Sequence, residues 1–292
     1  MKYPCTDEIE YSTEGEDKQH VFAAYELYYP DKKEDFLKYI IPVLQEEYGV
    51  GIDFDEKTRN IANQENVATL KKFILKNSAP NPKNNTFKKQ MRHLSVTRNK
   101  ITEIIAKDML QKIKNVLFVS RTSLEEEDPD MPKRGIDNFG FIFEQTDGGI
   151  TLKNIVACEV KASDDEKSPP NVVNNNKDGL FKSLQEISCL NSRFEKAITK
   201  SIDRLNTDEF LNLIIDIAIS LENKSSLELI QQKLIVVPFL FRTKNKYTNK
   251  DFEEFNKKYK DFEPAKILYY IIMIDNDLNN FGDDIYQRLR EG

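Results

Sequence analysis

The sequence predicts an α/β fold in which helices flank a mixed β-sheet, and three observations carry this prediction. Segments with helical spacing of apolar residues alternate with short apolar runs along the chain. A glycine-containing turn at 147–149 joins two of these runs into a β-hairpin. The runs 234–241 and 267–274 are almost continuously apolar, as strands buried on both faces are.

The composition is that of a globular protein. The 292 residues are 39% hydrophobic and 32% charged, and the length suits one large domain or two modest ones. No apolar run approaches the roughly 20 residues that a membrane helix needs, and the N-terminus lacks the apolar centre of a signal peptide. We therefore expect a cytoplasmic protein without a membrane partner.

Charge and residue usage narrow the possible chemistry. Lys and Arg total 43 against 49 Asp and Glu, which argues mildly against a protein that coats nucleic acid by charge alone. The chain has only two histidines and three cysteines, and no CxxC pair. These counts argue against a zinc site, a disulfide framework and a histidine-dependent triad. Hydrolytic chemistry would have to come from carboxylates, lysine and a metal ion.

The segment 1–87 is predicted to be an N-terminal accessory region of mixed α and β structure. Its predicted elements are a strand over 21–29, stopped by Pro30, and helices over 31–48 and 66–77. The Pro- and Asn-rich stretch 78–86 is the predicted linker.

The segment 88–292 is predicted to form the core. In chain order its predicted elements are a helix over 88–115, strands over 116–120, 136–144 and 152–162, helices between 179 and 233, and the two late strands. The acidic stretch 124–132 and the stretch 163–178 are predicted loops.

Two acidic residues and a lysine are the candidates for chemistry. Side chains alternate across a strand, so Glu159 and Lys161 share one face of the strand 152–162, opposite an apolar face. Asp137 lies one hairpin earlier and can approach Glu159 across the paired strands. If the phenylalanines that follow Asp137 point into the core, alternation sends Asp137 the same way. A bulge or an irregular start of the strand would then have to re-aim it.

This trio suits phosphodiester hydrolysis assisted by a hard cation. Magnesium prefers oxygen ligands, usually one or two carboxylates, and manganese is an alternative. Asp137 and Glu159 supply carboxylates, the backbone carbonyl of Val160 supplies another oxygen, and Lys161 places a cation where phosphorane charge develops. The alternative is a solvated Glu–Lys pair on an exposed strand.

Gly135-Ile136-Asp137 followed by Glu159-Val160-Lys161, in this order of elements, resembles the PD-(D/E)XK nuclease superfamily over 88–275. The resemblance implies a restriction-endonuclease-like core and magnesium-dependent hydrolysis of DNA. It also implies two further site residues. Glu103 stands where many members carry a metal-shell glutamate, and Gln185 where several carry a glutamine that touches the site or the DNA. The alternative is that both are ordinary helix residues.

More narrowly, the layout is similar to the HamA-type nuclease subunits of Hachiman antiphage defence systems, although effector nucleases of other defence systems are an alternative. This similarity implies a HamB-like helicase partner that restrains the nuclease. Two hypotheses stay open. One is a DNA endonuclease, and the other is a catalytically silent subunit that binds and regulates a helicase or ATPase.

Two basic clusters are candidates for contacts with phosphates. The first runs from 88 to 100, and the second from 242 to 250, where Tyr247 is placed to stack on a base. The alternative for each cluster is a plain solvated face.

Overall fold

A computed structural model describes residues 3–60, 63–84, 95–119, 135–205 and 207–291. These residues form a seven-stranded mixed sheet with helices packed on both faces, which confirms the predicted α/β class. In the described ranges, no helix combines the length and apolar character needed to cross a membrane.

The sheet has the order β1-β2-β7-β6-β5-β4-β3. Its strands are β1 (Thr6–Glu14), β2 (His20–Leu27), β3 (Leu117–Phe118), β4 (Asn138–Thr146), β5 (Gly149–Ser163), β6 (Leu234–Thr243) and β7 (Lys266–Ile274). The four central strands β2, β7, β6 and β5 run parallel to one another. The pairs at both edges are antiparallel.

Eleven α-helices are found in the described part of the chain. They are α1 (Lys33–Glu47), α2 (Ile52–Thr58), α3 (Gln64–Ser78), α4 (Val96–Lys114), α5 (Asn171–Asn174), α6 (Leu180–Ser188), α7 (Ser192–Arg204), α8 (Asp208–Glu222), α9 (Leu227–Lys233), α10 (Glu253–Lys257) and α11 (Leu278–Glu291). Helices α1, α3, α4 and α11 cover one face of the sheet, and α6 to α10 cover the other.

The two late strands lie at the centre of the fold. Nearly every residue of β6 and β7 is buried, as the apolar runs predicted. Strand β6 is continuous through Pro238, but its pairing with β7 skips Val237 and Pro238 because proline has no N–H to donate. This gap lies beside Glu159, which pairs with Pro238 on the other side.

Most predicted elements are found close to their predicted bounds, but several elements differ. Strand β3 is only two residues long, and its predicted end at Ser120 lies outside the described residues, as does the predicted loop 124–132. Strand β1 and helices α2 and α11 were not predicted, and the short helix α5 lies within the predicted loop 163–178. Strand β1 is polar and lies at the edge of the sheet, where even Ile9 and Tyr11 are exposed, so its sequence lacks the apolar alternation of a buried strand.

The N-terminal strands belong to the same sheet as the rest of the fold, because β2 pairs directly with β7. The end of α3 is also tied down, since the guanidinium of Arg290 donates a hydrogen bond of 2.6 Å to the carbonyl of the buried Ala79. The predicted boundary between 87 and 88 lies outside the described residues and stays a prediction.

Candidate active site

Asp137 lies against the backbone of the E-x-K segment. Its Oδ2 accepts a hydrogen bond of 2.7 Å from the N–H of Val160. Asn138, the first residue of β4, pairs with Cys158, so Asp137 stands just before the strand and beside Glu159. Phe139 does point into the core, yet Asp137 reaches β5 without a bulge near it. The structure thus brings the two motifs together.

Gly135 shapes the start of this segment. Its φ of +123° is a conformation that residues with a Cβ rarely adopt. Its carbonyl accepts a hydrogen bond of 2.6 Å from Nη2 of Arg193. The glycine of the G-x-D motif therefore turns the backbone so that a carbonyl faces Arg193 while Asp137 faces Val160.

Arg193 holds the carboxylate of Glu159 and was not among the predicted site residues. Its Nη2 donates to Oε1 of Glu159, and its Nη1 donates to the hydroxyl of Ser183 at 2.6 Å. Helix α7 begins after Asn191, whose side chain accepts from the N–H of Arg193 and caps the helix. The buried Phe194 packs edge-on against Phe139 of β4, which fixes the helix beside the site.

Glu159 is strongly perturbed by its surroundings. Its side chain is only 5% exposed, and burial, together with the charge of Asp137, raises its pKa from an ordinary value of 4.5 to about 8. The positive charges of Arg193 and Lys161 act in the opposite direction and lower this pKa. A buried carboxylate beside a second carboxylate is a charge arrangement that favours a bound cation.

Lys161 lies on β5 two residues beyond Glu159 and is half-buried. Alternation places both side chains on the same face of the strand, as predicted. The Cys158 and Val160 side chains point to the opposite face and pack in the core under α4. The predicted packing role of Cys158 fits its complete burial.

Glu103 approaches from the other side of the sheet. It lies on α4, which packs on the face that carries Cys158. The amide of Asn138 donates a hydrogen bond of 3.1 Å to the backbone carbonyl of Glu103, so α4 is tied to the start of β4. Burial raises the pKa of the Cys158 thiol, and the charges of Asp137, Glu159 and Glu103 raise it further. The three negative charges therefore act in the same direction as burial and keep this thiol protonated.

Gln185 lies half-buried on α6, where its backbone carbonyl accepts hydrogen bonds from the Ser188 hydroxyl and the Cys189 N–H. The residue of α6 that is linked to Glu159 is Ser183, through Arg193. The predicted role of Gln185 stays a prediction.

The donor set at this site is small. Across the described ranges, no group of three or more His, Cys, Asp or Glu side chains is gathered closely enough to hold a metal ion, so Glu103 does not form one cluster with Asp137 and Glu159. What the structure places side by side is the carboxylates of Asp137 and Glu159, and the carbonyl of Val160 stays a predicted third donor. Such a set fits magnesium, which often binds one or two carboxylates and keeps several waters.

Several residues of the two predicted basic clusters are buried or paired within the protein, and phosphate contacts by the other residues stay a prediction. Arg242 is fully buried and pairs with the buried Asp251. Tyr247 donates its hydroxyl hydrogen to Glu10, and Lys246 pairs with Glu166. In the first cluster, Arg98 and Lys100 are buried, and positions 88–94 lie outside the described residues.

The sequence analysis missed a third group of basic residues. It lies in α7, where basic residues recur every three or four positions from Arg193 onward.

Comparison with known proteins identifies no family. No family model matches the chain, and no curated protein matches it at a significant level. The resemblance to PD-(D/E)XK nucleases therefore rests on the motifs and on the geometry described above.

Proposed function

We propose that this protein is a magnesium-dependent nuclease that hydrolyses phosphodiester bonds of DNA, built on a restriction-endonuclease-like core. The observation that carries the proposal is the 2.7 Å hydrogen bond from the Val160 N–H to Asp137, which holds the G-x-D segment against the E-x-K strand. The raised pKa of Glu159 supports it, because a buried carboxylate beside the half-buried carboxylate of Asp137 favours a bound cation.

Each residue has a role in this proposal. Asp137 and Glu159, with the carbonyl of Val160, would hold magnesium or manganese. The bound ion would polarise the phosphate and lower the pKa of an attacking water. Lys161 would stabilise the negative charge that develops on the phosphate oxygens. Arg193 would orient the Glu159 carboxylate, and Glu103 and Gln185 are proposed as supporting residues.

The proposed setting is an antiphage defence complex, in which a HamB-like helicase restrains the nuclease until DNA is sensed. Two features support a protein partner. The chain is acidic overall, which does not favour unassisted binding to DNA. Helix α3 also exposes Leu70 and Phe73 one turn apart, and exposed apolar side chains of this kind suit contact with another protein.

A second candidate function is that of a catalytically silent subunit that regulates a helicase or ATPase. The observation that favours it is the pairing of Arg193 with Glu159, because an internal cation already neutralises the carboxylate on which metal binding would depend.

Glu159→Gln and Lys161→Met separate the two candidates. Purified protein is incubated with magnesium or manganese and with plasmid DNA, single-stranded DNA or RNA, alone and with its partner helicase. The nuclease proposal expects both variants to lose at least about 100-fold in cleavage rate, equivalent to about 2.7 kcal/mol. The matched control is Lys182→Met with Glu186→Gln, which removes an exposed ion pair on α6. Absence of cleavage by the unaltered protein under every condition rejects the nuclease and favours the silent subunit.

A further inference from the structure

A pocket of about 540 Å³ lies directly beside the candidate active site, between the start of β4 and helix α7. Val119, Ile136 and Phe139 give it an apolar wall, and Gly135 lies at its edge. This volume falls in the range of pockets that hold small molecules or cofactors. The pocket is therefore large enough for a ligand and continuous with the site through Gly135.

The opposite wall is a cationic helix face. Arg193, Lys196, Lys200 and Arg204 all line the pocket, and their spacing of three or four residues places them on one side of α7. The large apolar residues Phe194 and Ile198 of the helix are buried in the core, while the small Ala197 lines the pocket between the cations. Lys196 and Lys200 are exposed. Four cationic side chains of an overall acidic protein therefore line one wall of this pocket.

We propose that this pocket binds a nucleotide, with the base against the apolar wall and the phosphate on the cationic face of α7. A nucleotide joins a flat, weakly polar base to an anionic phosphate, and the two walls present the complementary surfaces. Arginine and lysine are the side chains that bind phosphate through charge-assisted hydrogen bonds. The nucleotide is either one unit of a single-stranded nucleic acid or a free nucleotide, and both share this chemistry.

Arg193 couples the pocket to the site. It lines the pocket and at the same time donates hydrogen bonds to Glu159, Ser183 and the carbonyl of Gly135. A phosphate bound in the pocket competes with Glu159 for this guanidinium, so an occupied pocket releases the carboxylate. This coupling rests on the proposed function, whereas the binding of a nucleotide does not.

Binding is measured on the full chain in EDTA, so that no cleavage is needed. The probes are a short fluorescent oligothymidylate and a fluorescent analogue of ATP, followed by anisotropy. Lys196→Ala with Lys200→Ala is expected to weaken binding about tenfold or more. For the oligonucleotide, it is also expected to lower the slope of log K against log salt by about 1.4, since each phosphate contact contributes about 0.7 on single strands.

The matched control is Lys72→Ala with Lys76→Ala on α3, which removes two exposed lysines at the same spacing. This double variant is expected to bind as the unaltered protein does. A third variant, Ala197→Phe, fills the pocket without changing its charge, and we expect it to weaken binding by a similar factor. If Ala197→Phe does not fold, competition by unlabelled thymidine triphosphate against the oligonucleotide takes its place.

Each result decides the proposal. If only the oligonucleotide binds, the ligand is a nucleic-acid strand. If the ATP analogue binds, the ligand is a free nucleotide. In either case the α7 and pocket variants must weaken the binding. Failure of both probes to bind overturns the proposal. An equal loss of binding affinity in the α3 control variant overturns the proposal as well. Binding that is unchanged in Ala197→Phe, or that thymidine triphosphate does not compete away, also overturns it. Because the measurement contains no metal, a protein that binds nucleotides but never cleaves DNA refutes only the proposed function.

Discussion

The carboxylate of Asp137 accepts a hydrogen bond from the backbone N–H of Val160, the residue between Glu159 and Lys161. A single contact therefore joins the two halves of the candidate site across a hairpin. It also brings the negative charge of Asp137 close enough to raise the pKa of Glu159. The position of Asp137 beside β5 therefore accounts both for the contact between the two motifs and for the raised pKa of Glu159.

Glu159 makes the stability of the metal-free protein depend on pH. Its pKa is raised to about 8 in the folded state, so the folded protein holds this proton between about pH 4.5 and 8 while the unfolded chain releases it. The stability contributed by the protonated group is complete below about pH 4.5 and is lost as the pH rises through 8. Thermal unfolding in EDTA should show a smaller fall in midpoint from pH 6 to 9 for Glu159→Gln than for the unaltered protein. An equal or larger fall contradicts the raised pKa.

Arg193 is predicted to keep the pKa of Glu159 lower than burial and Asp137 alone would set it. Replacement of Arg193 with Gln removes a positive charge and a hydrogen bond from the carboxylate, so the pKa of Glu159 should rise further. Carbon-13 NMR titration of labelled glutamate carboxyl groups, without metal, measures this shift. Lys196→Gln is the control, because it removes the same charge from an exposed position of the same helix. Equal shifts in both variants refute a specific role for Arg193.

Arg242 is predicted to be essential for stability. Its guanidinium pairs with the buried Asp251 and donates hydrogen bonds to four backbone carbonyls. Arg242→Met leaves Asp251 buried without its cation, and such a loss costs about 3–5 kcal/mol. Urea unfolding measures the change. Lys250→Met, at an exposed position of the same segment, should change the free energy of unfolding by less than about 0.5 kcal/mol.

Gly282 is predicted to set the distance between α11 and α4. A Cβ built at this position would lie 2.7 Å from the backbone nitrogen of Arg98, so the two helices would have to move apart. We expect Gly282→Ala to destabilise the protein by about 1–3 kcal/mol, as overpacking does. Gly148→Ala is the control, because the nearest atom to its added Cβ is 3.9 Å away. An equal change in the urea midpoint of both variants would contradict a specific steric role for Gly282.

The faces of Glu159 and Lys161 could be predicted from the sequence because strand alternation is local and has a period of two. The strands β6 and β7 could be predicted because both of their faces are apolar. Arg193 could not be assigned to the site by the same reasoning, since its contact with Glu159 depends on how α7 packs against β4 through Phe194. Arg242 was misleading for a related reason. A charged residue at the end of an apolar strand is typical of a surface. Its burial depends on Asp251, nine residues later, and on carbonyls of the distant segment 163–167.

The position of β2 in the sheet has a consequence for the order of events during synthesis. Strand β2 is made early, but its parallel neighbour β7 leaves the ribosome only after every other strand. Until then β2 has only β1 beside it, and an isolated two-stranded hairpin is marginally stable in water at best. Pairings between segments so far apart in the chain form slowly. Until β7 is synthesised, the edge of β2 that will pair with it has no partner strand. During this interval the nascent chain is most exposed to aggregation and to chaperone binding.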